Sequence, residues 1–194
     1  MDNAYYFADE TGNHSGGRYF LVAGVAFTKY RLWIRDELEQ IERVSGKGKQ
    51  DWKGTKNPRV RVDYIERVIA LEQMQGTAFY AEYLNNDKEY WLYTVDALER
   101  AIKRFGAGCH NIVRHQGLNY KSREKLKEDL RSVGYSVEIQ TGSEKRAEIR
   151  VADGLAGYLG LVKHNPDSST ANYFPDVPDW IIDLKAEAPT LGDP

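Results

Sequence analysis

Residues 147–162 constrain the fold more tightly than any other stretch of the chain. At helical period, Val151, Leu155, Leu159 and Val162 form one apolar stripe, and Ile149, Asp153, Ala156, Gly157 and Gly160 form a second. A helix with two such stripes is covered on two sides and lies inside the molecule, against a sheet and a further layer. Gly154, Gly157 and Gly160 each cost up to about 1 kcal/mol relative to alanine in a helix interior, and close approach of another backbone is the expected compensation. Asp153 then faces the sheet, where an ionised carboxylate is costly unless it is hydrogen-bonded, paired or bound to a metal.

The rest of the chain reads as the material of that sheet and its covering layers. Residues 4–9 and 19–27 read as strands on either side of the turn-rich stretch 11–17, giving an antiparallel opening hairpin. Leu32, Ile34, Leu38 and Ile41 recur near helical period, 46–58 reads as a basic loop, and 60–74 as a second helix with Pro58 near its start. A β-like run at 77–84, a helix at 90–105, a strand at 109–114, a helix at 121–133 and a strand at 136–140 then precede the last helix. Three strands followed by alternating helices and strands predict an α/β fold, a mixed sheet flanked by helices. With 194 residues the chain suits one domain, 1–163, carrying a helical insertion at about 28–74. Residues 164–194 read as an irregular acidic tail docked by Trp180, Ile181, Ile182 and Leu184.

Composition narrows the function classes. The single Cys109 excludes internal disulfides and multi-cysteine zinc patterns and suits a reducing cytoplasm. The start, Met1-Asp2-Asn3-Ala4, is acidic where a signal peptide is basic, and the longest apolar run is far shorter than the roughly 20 residues of a membrane helix. A soluble, cytoplasmic protein without a membrane partner is expected. No phosphate-binding loop, dinucleotide fingerprint or serine nucleophile elbow is present, so a nucleotide cofactor has no support.

A net charge of −2 makes no global case for nucleic acid, but the charge is unevenly spread. Residues 43–67 carry Arg43, Lys47, Lys49, Lys53, Lys56, Arg59, Arg61 and Arg67, with Trp52 in their midst. The tail carries Asp167, Asp176, Asp179, Asp183, Glu187 and Asp193 against Lys185, and its acids around Trp180 could lie over the basic segments. Trp52, Lys53, Arg59 and Arg61 are the candidate nucleic-acid contacts, the cations for phosphate and the indole for a base. A merely solvated face is the other reading of the same run.

Asp9 is the second acid in an apolar setting. On a strand, Tyr5, Phe7 and Asp9 point to one face and Tyr6, Ala8 and Glu10 to the other, so Asp9 ends an apolar row and Glu10 lies opposite. Taken singly, Asp9 also suits a turn former before Thr11-Gly12-Asn13, and Asp153 a buried acid paired with Arg150 or with a backbone amide. Two such acids far apart in sequence point to a shared cation.

The segments Tyr6-Phe7-Ala8-Asp9-Glu10-Thr11-Gly12, Phe20-Leu21-Val22-Ala23-Gly24-Val25 and Arg150-Val151-Ala152-Asp153-Gly154-Leu155-Ala156-Gly157 together resemble the domain-of-unknown-function 3800 family, grouped with RNase H-like folds. The order of elements agrees over about residues 4–163. In that family the opening strand ends in Asp-Glu-Ser-Gly and the closing helix contains Ala-Asp, with the acids taken as ligands of a catalytic divalent metal. The resemblance implies an RNase H-like nuclease in which Asp9, Glu10 and Asp153 hold Mg²⁺ or Mn²⁺ and the substrate is DNA or RNA.

One departure stands out. RNase H-like nucleases commonly place another acid near the end of the fourth strand, where this chain has Arg114-His115-Gln116. His115 is a candidate replacement ligand for Mn²⁺, and Glu82, on one strand face with Tyr80 and Leu84, is another. Asp51 is a spare carboxylate beside Trp52, whereas Glu144 and Glu148 read as solvated or helix-N-terminal acids. The departure also motivates an alternative: a non-catalytic RNase H-like module that binds nucleic acid or a protein partner.

Overall fold

The computed structural model describes residues 2–12, 19–28, 32–84 and 90–186, and over these the chain is an α/β fold built on a mixed sheet. β1 (Asn3–Thr11) and β2 (Tyr19–Phe27) form the expected hairpin, with Phe7 opposite Val25 and Asp9 opposite Ala23. The turn expected at 11–17 lies, beyond Gly12, outside the described residues, as does the tail beyond 186. α1 (Leu32–Val44), α2 (Pro58–Ala70), β3 (Ala78–Leu84), α3 (Trp91–Phe105), β4 (His110–His115), α4 (Tyr120–Ser132), β5 (Ser136–Thr141), α5 (Ala147–His164) and β6 (Ile182–Asp183) follow.

The sheet has six strands in the order β5-β4-β1-β2-β3-β6. β1, β4 and β5 run parallel, β3 and β6 run parallel, and β2 is antiparallel to both its neighbours. Among the described strands, therefore, β2 alone runs against the rest. The chain leaves β1 toward β2 and β3 on one side and later crosses to β4 and β5 on the other. The carboxyl ends of β1 and β4 thus flank a switch point, the place where open α/β sheets form their ligand crevices.

Alternation along the strands feeds two cores. Phe7, Leu21, Ala23 and Val25 point to the face covered by α1, α2 and α5, where they meet Leu38, Ile65, Leu155 and Leu159. Tyr6, Ala8, Phe20 and Val22 point to the face covered by α3 and α4, where they meet Leu98, Ile102, Leu126 and Leu130. α2 differs from the expected 60–74. It starts at Pro58, whose missing N–H costs nothing in the first turn, and the Asn57 side chain caps it by accepting from Arg59 N at 3.0 Å. It ends at Ala70, and residues Glu72–Met74 continue only as a short 3₁₀ turn.

α5 is buried on two sides as its double stripe requires, but its glycines face side chains and not another backbone. A Cβ on Gly154 would stand 2.9 Å from the Tyr64 ring and one on Gly160 2.7 Å from Thr11 Cγ2, while one on Gly157 would collide with the Trp52 indole. The C-terminal stretch is less irregular than expected. Phe174 and Ile181 are buried, the Tyr158 hydroxyl donates to Pro175 O at 2.8 Å, and β6 adds a short parallel strand beside β3. Contact with the basic segment is made by aromatic side chains: Phe174 packs 5.9 Å from Trp52, and Tyr173 lines a groove with Arg59. Among the described residues no helix is long and apolar enough to cross a membrane.

Candidate active site

Asp9 and Asp153 line one cavity. β1 delivers Asp9 near its carboxyl end, on the face against α5, and α5 delivers Asp153 from its second turn, so both acids border a space of about 310 Å³ together with Glu10, Asp51, Lys53 and Glu144. Asp9 is held locally, its Oδ1 accepting from Glu10 N at 2.9 Å. Burial, with Glu10 and Asp153 adding negative charge nearby, pushes the Asp9 carboxyl from its ordinary value to about 7. Burial also raises Asp153, opposed by the Trp52 N–H and by Lys47 and Lys53. Each acid thus sits where its charge lacks full compensation.

The loop 46–58 and α1 set the other wall: Asp153 pairs with a backbone amide, one of its two expected partners, while Arg150, the other, is taken by Glu42, a contact that sequence reasoning missed. Trp52 N donates to Asp153 Oδ2 at 2.5 Å. Behind it, Arg150 Nε and Nη2 each donate to the Glu42 carboxylate at 2.6 Å, a bidentate pair with both side chains buried. Lys47, buried as well, lies 3.7 Å from Glu42, donates to Gln50 O and places its ammonium 4.7 Å over the Tyr64 ring. Burial pulls the Lys47 ammonium below its ordinary value, against the pull of Glu42. The available signal was spacing: Glu42 falls four residues after Leu38, on the buried stripe of α1, where an acid needs a partner.

Several predicted site residues have different places. Glu10 lines the cavity but projects to the opposite sheet face, where its Oε2 lies 2.8 Å from His115 Nε2. The angle there is poor for a hydrogen bond, and the two atoms, buried from solvent, make a close electrostatic contact. His115 Nδ1 accepts from Gly117 N at 2.9 Å, which puts the ring proton on Nε2. His115 thus turns to Glu10 and does not line the cavity that holds Asp9 and Asp153. Glu82 likewise does not line this cavity; it faces Lys163 at 4.0 Å and His164 at 3.8 Å in the last turn of α5.

Trp52 is not a free stacking platform. It is 8% exposed, packed against Gly157 and Phe174, with the Arg61 guanidinium 4.8 Å over its ring. Arg61 Nη2 is further committed to Trp52 O at 2.7 Å. Lys53 is exposed and lines the carboxylate cavity, whereas Arg59 is exposed on a separate groove with Asp63 and Glu66. Asp51, the spare carboxylate beside Trp52, and Glu144, which read as solvated or helix-N-terminal, both reach the cavity rim. Asp51 Oδ1 accepts from Gly54 N at 2.6 Å, and Gln116 Nε2 donates to Glu144 Oε1 at 2.9 Å.

Among the described residues no three His, Cys, Asp or Glu side chains converge closely enough to hold a metal ion by themselves. The donor set still fits Mg²⁺, which keeps several waters and is commonly bound through one or two carboxylates plus substrate phosphate oxygens. Asp9 and Asp153 are two all-oxygen donors on one cavity, and the upward push on both carboxyls is what a cation would relieve. In comparison with known proteins, the chain matches no family model and no curated protein.

Proposed function

We propose that this protein is a divalent-metal-dependent phosphodiester hydrolase of RNase H-like type acting on nucleic acid. The observation that carries the reading is that the acids of the first strand and the last helix, Asp9 and Asp153, border one cavity with Asp9 raised to about 7. The motifs of the domain-of-unknown-function 3800 family and the order of elements over residues 4–163 support it. So does the location of the cavity at the switch point of the sheet.

In this reading Asp9 and Asp153 are the residues that hold Mg²⁺ or Mn²⁺. Such an ion, once bound, supplies charge stabilisation for a phosphoryl oxygen and lowers the pKa of a bound water. Glu10, oriented by His115, keeps a carboxylate at the cavity edge that can accept a proton or a hydrogen bond from water. Lys53, with a flexible cationic head at the rim, offers its ammonium to a phosphate of the strand. Trp52 N–H fixes the direction of Asp153, so the second acid points into the cavity without rotamer search.

The contact of Glu10 with His115 and the bond from Gln116 to Glu144 favour one competing reading, since they occupy two acids that could complete a metal site. That reading is a non-catalytic module that binds nucleic acid or a protein partner without turnover. A cleavage assay on single- and double-stranded DNA and RNA with Mg²⁺ or Mn²⁺ separates the two. Metal-stimulated cleavage that disappears in Asp9→Asn and in Asp153→Asn is expected; cleavage retained in either folded variant refutes the assignment.

A further inference from the structure

Beside the carboxylate cavity lies a second one of about 480 Å³, and the two share Thr11 and Gly12 at the end of β1. We infer that this neighbouring cavity is a base-stacking subsite, which seats one unpaired nucleobase of a single strand whose scissile phosphate lies against Asp9 and Asp153. The inference rests on the nucleic-acid reading above and adds to it that the strand is unpaired at that nucleotide.

The lining has the chemistry of a base site. The rings of Tyr19 and His164 stack with centroids 4.2 Å apart and planes 11° from parallel, and Tyr19 remains 38% exposed, so a further ring can continue the stack. Burial holds the His164 ring below its ordinary value, and its Nε2 has no hydrogen-bond partner among the described residues, being 3.8 Å from Glu82. The platform is therefore a pair of uncharged rings, which accepts any base through its π face. Across the cavity, the Arg61 guanidinium lying over Trp52 gives a positive wall next to aromatic surface.

Shape agrees with the chemistry. Gly157 and Gly160 line the cavity where Trp52 and Thr11 pack onto α5, and its volume falls in the roughly 300–1,000 Å³ range of small-ligand sites. A base paired inside a duplex cannot enter such a recess; an unpaired base, or one splayed out of its stack, can. The shared rim of Thr11 and Gly12 then makes base and phosphate neighbours along one strand.

The test is an abasic scan. Short fluorescently labelled single-stranded oligonucleotides, each lacking one base, are titrated against the full chain with Ca²⁺ as the divalent ion, and binding is read by anisotropy. One position is expected to lose about tenfold in affinity when its base is removed, the order of one base–aromatic stack. In Tyr19→Ala that loss is expected to vanish, and in Tyr19→Phe to persist. Equal affinity at every abasic position for the wild-type chain, or a tenfold loss that survives in folded Tyr19→Ala, overturns the inference. A mononucleotide that binds more tightly than any oligonucleotide overturns it too, in favour of a free nucleotide ligand. A flat scan with Asp9-dependent cleavage intact removes the subsite and leaves the hydrolase; a wild-type chain that neither binds nor cleaves any strand removes both.

Discussion

The backbone N–H of Trp52 donates to Oδ2 of Asp153 at 2.5 Å, joining a loop to the last helix across 101 residues of sequence. The loop is held from below, since Lys47 bonds Gln50 O and lies beside Glu42, which in turn grips Arg150 almost one turn before Asp153. Loop and helix therefore share one buried charged network, and the direction of the Asp153 carboxylate is a property of that network.

The Trp52 contact makes Gly157 a sensitive position. A methyl group there collides with the indole, so Gly157→Ala must displace Trp52 from α5 and pull its N–H from Asp153. The gain in helix propensity, about 1 kcal/mol, works against this and is smaller than the one to three kcal/mol typical of overpacking plus the lost bond. Urea denaturation is expected to show net destabilisation of about 1–3 kcal/mol, with red-shifted tryptophan emission as the indole gains solvent. A stabilised Gly157→Ala would refute the packing role.

The Glu42–Arg150 pair gives a prediction in which the double variant is more stable than the variant lacking Glu42 alone. Removing Glu42 leaves Arg150 and Lys47 as buried, uncompensated charges, so Glu42→Gln alone is expected to cost about 3–5 kcal/mol in chemical denaturation, whereas Arg150→Met leaves Glu42 paired with Lys47 and costs less. Glu42→Leu combined with Arg150→Met removes both charges and is expected to recover most of that loss. Lys47, 3.7 Å from Glu42, limits the recovery, because in the double variant its ammonium keeps only Gln50 O and the Tyr64 ring.

Most of the fold was legible because burial writes itself into periodicity. The run from Tyr19 to Phe27, the alternating Tyr6 and Phe7, and the double stripe around Leu155 each state which faces are covered, and the elements follow. The edges of elements were less legible: Pro58 and Asn57 mark the start of α2, but nothing local marks its end at Ala70. That Asp9 and Asp153 border one cavity was legible because each acid breaks an apolar pattern. Glu144 was not, since it sits in a loop where an acid looks merely solvated, and only tertiary folding brings it to the cavity. Trp52 misled for the converse reason: a tryptophan among cations resembles an exposed platform, while its actual partners, Gly157 and Phe174, are more than a hundred residues away in sequence.

If Asp9 and Asp153 share a divalent ion, metal binding stabilises the fold without reference to any substrate. At a free concentration one hundred times the dissociation constant the gain is about 2.7 kcal/mol. Differential scanning fluorimetry at neutral pH is expected to show the melting temperature rising with Mn²⁺ or Mg²⁺ in the wild-type chain and staying flat in Asp9→Asn and Asp153→Asn. Equal shifts in all three proteins would place the ion elsewhere and detach it from this cavity.

The raised Asp9 carboxyl fixes how stability depends on pH when no divalent ion is present. Its folded-state value of about 7 lies above the ordinary 3.8, so between those pH values the folded chain holds a proton that the unfolded chain has released. Stability therefore falls as pH rises through that window, by a few kcal/mol at most, and the penalty is complete above about pH 7 and absent below about pH 4. Asp9→Asn carries no such proton, so chemical denaturation from pH 4 to 8 is expected to show the variant matching the wild type at the acid end and exceeding it at neutral pH. Because a cation competes with that proton, adding Mn²⁺ is expected to close the gap from the high-pH side first. A wild-type chain whose advantage over Asp9→Asn grows with pH would show that the carboxylate is stabilised in the fold, and the electrostatic case for a cation between the two acids would fall with it.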